Sequence, residues 1–155
     1  MTKNELNYLA GAMDADGFLS MRTHKIRGCI TYSEFVGLGQ VNDIVPLLLC
    51  KAFGGTVRQR NRNPQWKTFY YWVAVNKGAA ICAKALLPYL KLKRRQAEII
   101  CALRKSKNIP EHKRRAVKIG VRSKGTNPEI VAHRVSLFTE IKTLNKSGTI
   151  PSSSS

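Results

Sequence analysis

The chain has 155 residues, of which 27 are Lys or Arg and nine are Asp or Glu, so its formal net charge is +18. With 43% hydrophobic residues it can bury one core, so we expect a single domain over residues 1–150 and a disordered, serine-rich tail at 151–155. The basic charge is spread along the chain, which favours a nucleic acid partner, although an anionic membrane or an acidic protein would also be attracted. Among these we expect nucleic acid, and we expect no membrane and no small-molecule substrate.

A helix is predicted first, over residues 4–13, with Gly17 beyond its end. Four of its apolar residues share one face: Leu6, Leu9, Ala10 and Met13. Strands are then predicted at 18–23 and 29–38, joined across 24–28. Four apolar residues of the second strand recur at period two: Ile30, Tyr32, Val36 and Leu38. Glu34 interrupts this apolar face, so the pattern leaves the register of the second strand open.

The next predicted helix opens near Asn42 or Asp43 and ends at Gly54 and Gly55. Three of its residues are expected to point into the core: Leu47, Leu48 and Cys50. A second hairpin follows, with strands at 56–61 and 68–75 and its turn at 62–65. Pro88 divides the following helical region into 78–87 and about 92–105. The last helix is predicted over 129–144, capped by Asn127.

The element order αββαββα, with further helices after it, predicts an α+β domain with an antiparallel sheet, helices on one face and the other face free. Basic residues, together with Ser20, alternate along two of the strands and so share this free face. The two sets are Arg58, Arg60 and Arg62, and Ser20, Arg22 and His24. A two-stranded ribbon of this kind fits the DNA major groove, where Arg pairs with guanine.

The four cysteines, Cys29, Cys50, Cys82 and Cys101, form no C-x-x-C pair and are predicted to be reduced core thiols. We expect no signal peptide, because the stretch "MTKNELNYLAG" lacks an apolar h-region, and no apolar run approaches 18 residues. We therefore expect an intracellular, reducing compartment: the cytoplasm or nucleoid, or an organelle if an organelle encodes the protein.

The most informative segment is "LAGAMDADG" at residues 9–17. Gly11 and Ala15 lie four apart on one helix face with Ala12 beside them, so another helix can approach this face closely. Packing within an ordinary core is the alternative. Two acids in a region meant for tight packing are costly unless a cation neutralises them, and hard divalent ions prefer oxygen ligands.

This segment resembles the LAGLIDADG signature of homing endonucleases and differs from it only at Ala12 and Met13. The similarity continues through Gln40, the "AFGG" helix end, "GGTVRQRN", "LPYLKLKRRQAE" at 87–98 and the final "IKTLN". It spans roughly residues 5–145. The segment "SKNIPEHKRRAVKIGVRSKGTNPE" matches no part of the family pattern, and the role of residues 106–128 stays open.

The resemblance implies a four-stranded saddle-shaped sheet and a homodimer in which the LAGLIDADG helices pack together through Tyr8, Gly11, Ala12 and Ala15. It implies that Asp16 and the Ala15 carbonyl ligate a divalent metal, Mg²⁺ in the first place, with Mn²⁺ or Ca²⁺ as other occupants. Gln40 and Lys93 correspond to the family's polar and basic residues beside the attacking water. Asp14 is more often structural, and we expect it to bond nearby backbone at the helix end.

The implied activity is a site-specific endonuclease that makes staggered double-strand breaks in a long pseudopalindromic DNA target. The expected DNA-binding residues are Ser20, Arg22, His24, Ser33, Arg58, Arg60, Arg62, Lys67 and Tyr71. The basic run at 112–118 is expected to grip phosphates, although a localisation tag has the same composition.

These residues also have ordinary structural interpretations. Lys93, Arg58 and Arg60 are typical of solvated surface charges, and Gln40 is typical of a polar residue at the end of a strand. His24 and His133 have no acid or second histidine at metal-ligand spacing. At the level of function, the sequence leaves two alternatives: an RNA-binding intron maturase, and a DNA-binding protein of the same fold that has lost cleavage.

Overall fold

One antiparallel sheet of four strands carries the helices on one of its faces. The structure is a computed structural model that describes residues 1–61, 63–110 and 126–146. The strands are β1 (Gly17–Ile26), β2 (Cys29–Gln40), β3 (Thr56–Arg60) and β4 (Phe69–Val75), in the spatial order β1-β2-β4-β3. The described part contains five helices: α1 (Lys3–Asp16), α2 (Ile44–Phe53), α3 (Asn76–Leu86), α4 (Arg94–Lys107) and α5 (Pro128–Lys146). The predicted α+β class and element order are confirmed.

Helix α1 begins with a capping box that the sequence analysis did not predict. The Thr2 hydroxyl accepts a hydrogen bond from the Glu5 backbone N–H, and the Glu5 carboxylate accepts one from the Thr2 backbone N–H. At the other end the helix reaches Asp16, and the Gly17 N–H donates to the Met13 carbonyl. Both acids of the signature therefore lie in the last turn of the helix.

The β1–β2 hairpin is longer than predicted, because Arg27 and Gly28 alone make the turn. Both residues have positive φ, of 49° and 82°, as a tight two-residue hairpin turn requires. The predicted loop 24–28 is thus mostly strand, and the pairing runs without a break to Ile26 and Cys29. Ile30, expected in the apolar face of β2, is 63% exposed because this outer end of the hairpin extends into solvent.

The core lies between the sheet and the helices, and its largest buried side chain is Trp72 of β4. The Trp72 indole N–H donates to the Gly54 carbonyl at 2.8 Å, which joins β4 to the end of α2. Val36 and Leu38 of β2 are also fully buried, as expected from their period-two spacing.

Helix α2 lies where it was predicted, but it is rotated about its axis so that a different face is buried. Leu47 is 51% exposed and Leu48 is 38% exposed, so the prediction was wrong for these two residues, whereas Cys50 is partly buried and packs against the core. The residues that point inward are Val45, Pro46, Leu49 and Phe53. An almost wholly apolar helix has no polar side to show which face is buried.

The cysteines also differ from the prediction in their burial. All four are free thiols, but Cys29 is exposed, Cys50 and Cys101 are partly buried, and only Cys82 is fully inside. Burial raises the pKa of the Cys82 thiol, so this residue is an inert member of the core.

The C-terminal helices follow the prediction closely. α3 and α4 are separated after Leu86, near Pro88, and α5 begins at Pro128 with the Asn127 side chain accepting a hydrogen bond from the Glu129 backbone N–H. No described helix is long and apolar enough to cross a membrane. The predicted features at Arg62, 112–118 and 151–155 lie outside the described residues.

Glu34 does not break the buried face of β2; it occupies that face as a fully buried carboxylate. Lys107 donates to Glu34 Oε2 at 2.6 Å, and Arg104 Nε lies 3.0 Å from Glu34 Oε1 without the alignment of a hydrogen bond. Burial lowers the pKa of Lys107, while the contact with Glu34 opposes that shift. The ion cluster ties α4 to the sheet and keeps the strand register regular.

We predict that Glu34→Ala lowers the free energy of unfolding by about 3 kcal/mol, because it leaves two partly buried cations without their anion. Chemical denaturation measures the change. Glu140→Ala is the control, since the pair between Glu140 and Arg95 is exposed and its loss changes stability little. Equal effects of the two substitutions would contradict the structural role of Glu34.

Candidate functional site

The C-terminal end of α1 is held by Asp14. Its carboxylate accepts hydrogen bonds from the backbone N–H groups of Lys91, Leu92 and Lys93, at 2.8, 3.2 and 2.9 Å. These donors belong to the connection between α3 and α4. The predicted local bonding at the helix end is therefore replaced by a long-range clamp, which fastens this connection to α1.

Lys93 folds back onto the same helix end. Its ammonium group donates to the carbonyls of Met13 and Asp14, at 2.8 and 2.6 Å. A cation in this position complements the negative end of the helix dipole. Burial lowers the pKa of Lys93, and the nearby carboxylates of Asp14 and Asp16 act in the opposite direction.

Asp16 is the acid that remains at the surface. It is exposed, and one of its oxygens accepts a hydrogen bond of 2.7 Å from the Gln40 side-chain amide at the end of β2. The structure thus brings three predicted site residues, Asp16, Gln40 and Lys93, to one place.

The donor set at this helix end fits a hard divalent cation only in part. The Asp16 carboxylate and the carbonyls of the last turn are oxygen ligands of the type that Mg²⁺ prefers. Among residues 1–61, 63–110 and 126–146, however, no group of three His, Cys, Asp or Glu side chains is close enough together to hold a metal. One copy of the chain therefore supplies a partial set of protein ligands.

The outer face of α1 carries the predicted interface residues. Gly11 and Ala15 are exposed, Ala12 is partly buried, and Tyr8 is 57% exposed. A β-carbon built on Gly11 would meet no other part of the chain within 4 Å. The bare face is therefore directed outward, and the alternative of packing within this chain's core does not apply to Gly11.

The sheet face opposite the helices is open. Strand pairing places Phe18 opposite Gly37 and Gly37 opposite Val73, and in the next row Ser20 lies opposite Phe35 and Phe35 opposite Val75. Arg58 lies opposite Tyr71 in the row on the other side. A groove of about 910 Å³ is lined by five residues of these rows, and no acidic side chain of the described residues lines it; the five are Phe35, Arg58, Tyr71, Val73 and Val75.

Basic residues border this groove from two sides. Arg22 lies on one side, with its guanidinium 3.2 Å from the centre of the Phe35 ring, and Arg58 and Arg60 line the other side. The cation–π contact attracts the Arg22 guanidinium to the face of the Phe35 ring. Burial raises the pKa of Tyr71, which remains a neutral hydroxyl at neutral pH.

The other predicted DNA-binding residues are distributed as follows. Ser20 and His24 share the open face with Arg22, and Ser33 is buried there with its hydroxyl 2.8 Å from His24 Nε2. Lys67 is exposed in the β3–β4 connection. Four apolar residues of this face were not predicted: Phe18, Phe35, Val73 and Val75. Their alternation is visible in the sequence, but only the pairing of the strands shows that they share one face.

No protein-family model matches the sequence, and no curated protein matches it. Solved structures do match. The homing endonuclease I-CvuI, crystallised with the I-CreI target in 2 mM Mg with its DNA not cleaved, is 22% identical and has a TM-score of 0.69, covering 96% of this chain and 86% of its own.

Two further structures are similar. The archaeal intron-encoded homing endonuclease I-Vdi141I, complexed with DNA, is 16% identical with a TM-score of 0.67 and covers 94% of this chain and 86% of its own. The LAGLIDADG homing endonuclease I-SmaMI, bound to cleaved DNA, is 15% identical with a TM-score of 0.62. The match covers 86% of this chain and 42% of I-SmaMI.

We predict that the two acids of the signature differ in their effect on stability. Asp14→Ala should lower the free energy of unfolding by about 2 to 3 kcal/mol, because three backbone N–H groups lose a charged acceptor. Asp16→Ala, at the exposed position, should change it by less than about 0.5 kcal/mol. Urea denaturation of both variants checks this, and a larger loss for Asp16→Ala would refute the assignment.

Proposed function

We propose that this chain is a site-specific endonuclease of the homing type, which cuts both strands of a long pseudopalindromic DNA target as a homodimer. The chain has the LAGLIDADG homing endonuclease fold, as its similarity to I-CvuI, I-Vdi141I and I-SmaMI shows. Several of those structures contain DNA targets, which supports DNA as the polymer and a nuclease as the activity.

The observation that carries the proposal is the arrangement at the end of α1. Asp14 is engaged by the α3–α4 connection, so Asp16 is left exposed beside Gln40 and Lys93. A DNA-binding protein without cleavage has no need for an exposed acid at a surface that must approach phosphates, because like charges repel. The exposed carboxylate is therefore best explained by a cation that it binds.

The incomplete ligand set supports a site shared by two copies. One chain provides Asp16 and the Ala15 carbonyl, and a symmetry-related chain would provide the same pair. When bound there, Mg²⁺ would neutralise charge on the scissile phosphates and lower the pKa of the attacking water. Gln40 would orient that water, and Lys93 would add positive charge beside it.

The dimer itself is supported by the outer face of α1 and its surroundings. Along the first half of α1, a shallow pocket between α1 and α2 is lined by Met1, Tyr8, Leu9, Leu48 and Ala52, together with the charged side chains of Glu5 and Lys51. Leu47 and Ile44 of α2 are also about half exposed. An apolar surface of this kind around a bare helix face is typical of an interface.

The open face of the sheet fits DNA in both its charge and its shape. Arg22, Arg58 and Arg60 border a concave surface on a chain whose net charge is +18. Neutralising phosphates releases counterions, so we expect binding to weaken steeply with salt. The arginines that reach base edges would supply the sequence specificity.

Incubation of the purified protein and Mg²⁺ with a library of randomised sites, followed by sequencing of the ends, tests the function. The expected result is a set of staggered cuts centred on inverted repeats. Intact DNA, together with preferential binding of a structured intron transcript in competition, would instead establish the RNA-binding maturase.

We predict that Asp16→Asn keeps target binding and abolishes cutting with Mg²⁺, because the amide does not replace the charge that holds the cation. Cleavage and gel-shift assays on the selected target measure both properties. Glu129→Gln, an exposed acid in the first turn of α5, is the control and should cut normally. Undiminished cleavage by Asp16→Asn would remove Asp16 from the metal site.

We predict that Gly11→Leu makes the chain monomeric without unfolding it. A side chain at this position meets nothing within the chain, so the fold is retained, whereas a helix approaching from a second copy is blocked. Sedimentation velocity gives the association state, and circular dichroism gives the fold. A folded variant that still sediments as a dimer would exclude this face as the interface.

A further inference from the structure

Part of the floor of the open groove is apolar, formed by Phe35, Val73 and Val75, with Thr56 opposite Val73, and the border of the groove is basic. Phe35 lies beneath the Arg22 guanidinium, and next to it Val75 is 48% exposed, with Val73 partly exposed in the neighbouring row. Both valines line the groove on the same face as Arg58. Such a surface suits an occupant that is anionic at its edges and carries an apolar group towards the middle.

Duplex DNA offers one such apolar group on its natural bases. In the major groove the C5 methyl of thymine is apolar, and the other groups at the base edges are hydrogen-bond donors and acceptors. A donor or acceptor placed against Val73 or Val75 would lose its water without gaining a partner, which is costly. A methyl group placed there would gain by leaving water.

We propose that the valine floor, defined as Val73 and Val75, selects thymine in each half-site through its C5 methyl group. The inference rests on the proposed function, because it requires duplex DNA on the open face of the sheet. Arg22, stacked on Phe35, and Arg58, opposite Tyr71, lie on the two sides of the floor and limit how far the base pair can shift along it. Specificity at this position then comes from an apolar contact and not from hydrogen bonds.

The test uses the full chain and a randomised duplex library. After selection of bound sequences, the preferred duplex is made again with deoxyuridine in place of each thymine in turn, which removes only the methyl group. At one or two positions in each half-site we expect binding to weaken about three- to fourfold, the loss of one buried methyl. The other thymines should tolerate the exchange.

Val75→Thr keeps the branched shape of the side chain and replaces a methyl with a hydroxyl group. In this variant the deoxyuridine penalty should shrink or disappear at the same positions. Val131→Thr is the matched control, because Val131 is similarly exposed on α5, away from the groove, and should retain the full penalty.

The outcomes separate the two proposals. Failure to select any duplex overturns the proposed function, and the thymine contact with it. Selection of duplex DNA overturns the thymine contact alone if the preferred half-site lacks thymine, if deoxyuridine is tolerated at every position, or if Val75→Thr leaves the penalty unchanged.

Discussion

The structure depends on how the end of α1 is fastened. Asp14 accepts three backbone N–H groups from the α3–α4 connection, and the Lys93 ammonium returns to two carbonyls of the same helix. Since β1 begins at the next residue, Gly17, this one junction sets the position of the helix, the connection and the first strand. It also decides which acid is available for chemistry, because Asp14 is used for structure and Asp16 remains outside with Gln40.

The two faces of the same helix differ in burial, and this difference is the basis of the proposed dimer. Leu9, Ala10 and Met13 are buried against this chain, whereas Gly11 faces outward with nothing over it. In one copy the exposed acid therefore lies at the end of an uncovered helix, and among the described residues it belongs to no cluster of three His, Cys, Asp or Glu side chains. Pairing of two such helices would both cover the bare face and double the number of protein ligands. The proposed dimer and the proposed metal site therefore depend on each other.

Much of the fold followed from local patterns, since the positions of α1, α2, α5 and the two hairpins were all predictable from periodicity and capping residues. Some failures were local, such as the buried face of α2 and the two-residue turn at Arg27 and Gly28, but those that concern the candidate site and the sheet depended on a distant partner. Asp14 was assigned to local bonding, although its donors lie 77 to 79 residues away. Glu34 looked like a break in a strand because Arg104 and Lys107 are remote in sequence. The valine floor likewise depends on which residues of β2 and β4 lie side by side.

The central claim is that cutting requires one Asp16 from each of two copies. It is tested most directly by co-expressing the native chain with Asp16→Asn and measuring double-strand cleavage by the mixture. With equal amounts of the two chains and random pairing, the account predicts that double-strand cleavage falls to about one quarter, because only native pairs hold both carboxylates. The account also predicts that the mixed pairs leave both strands intact, which a supercoiled plasmid substrate shows because it separates nicked from linear product. Nicked product from the mixed pairs, which are about half of all pairs, would show that each copy cuts one strand on its own and would contradict the account.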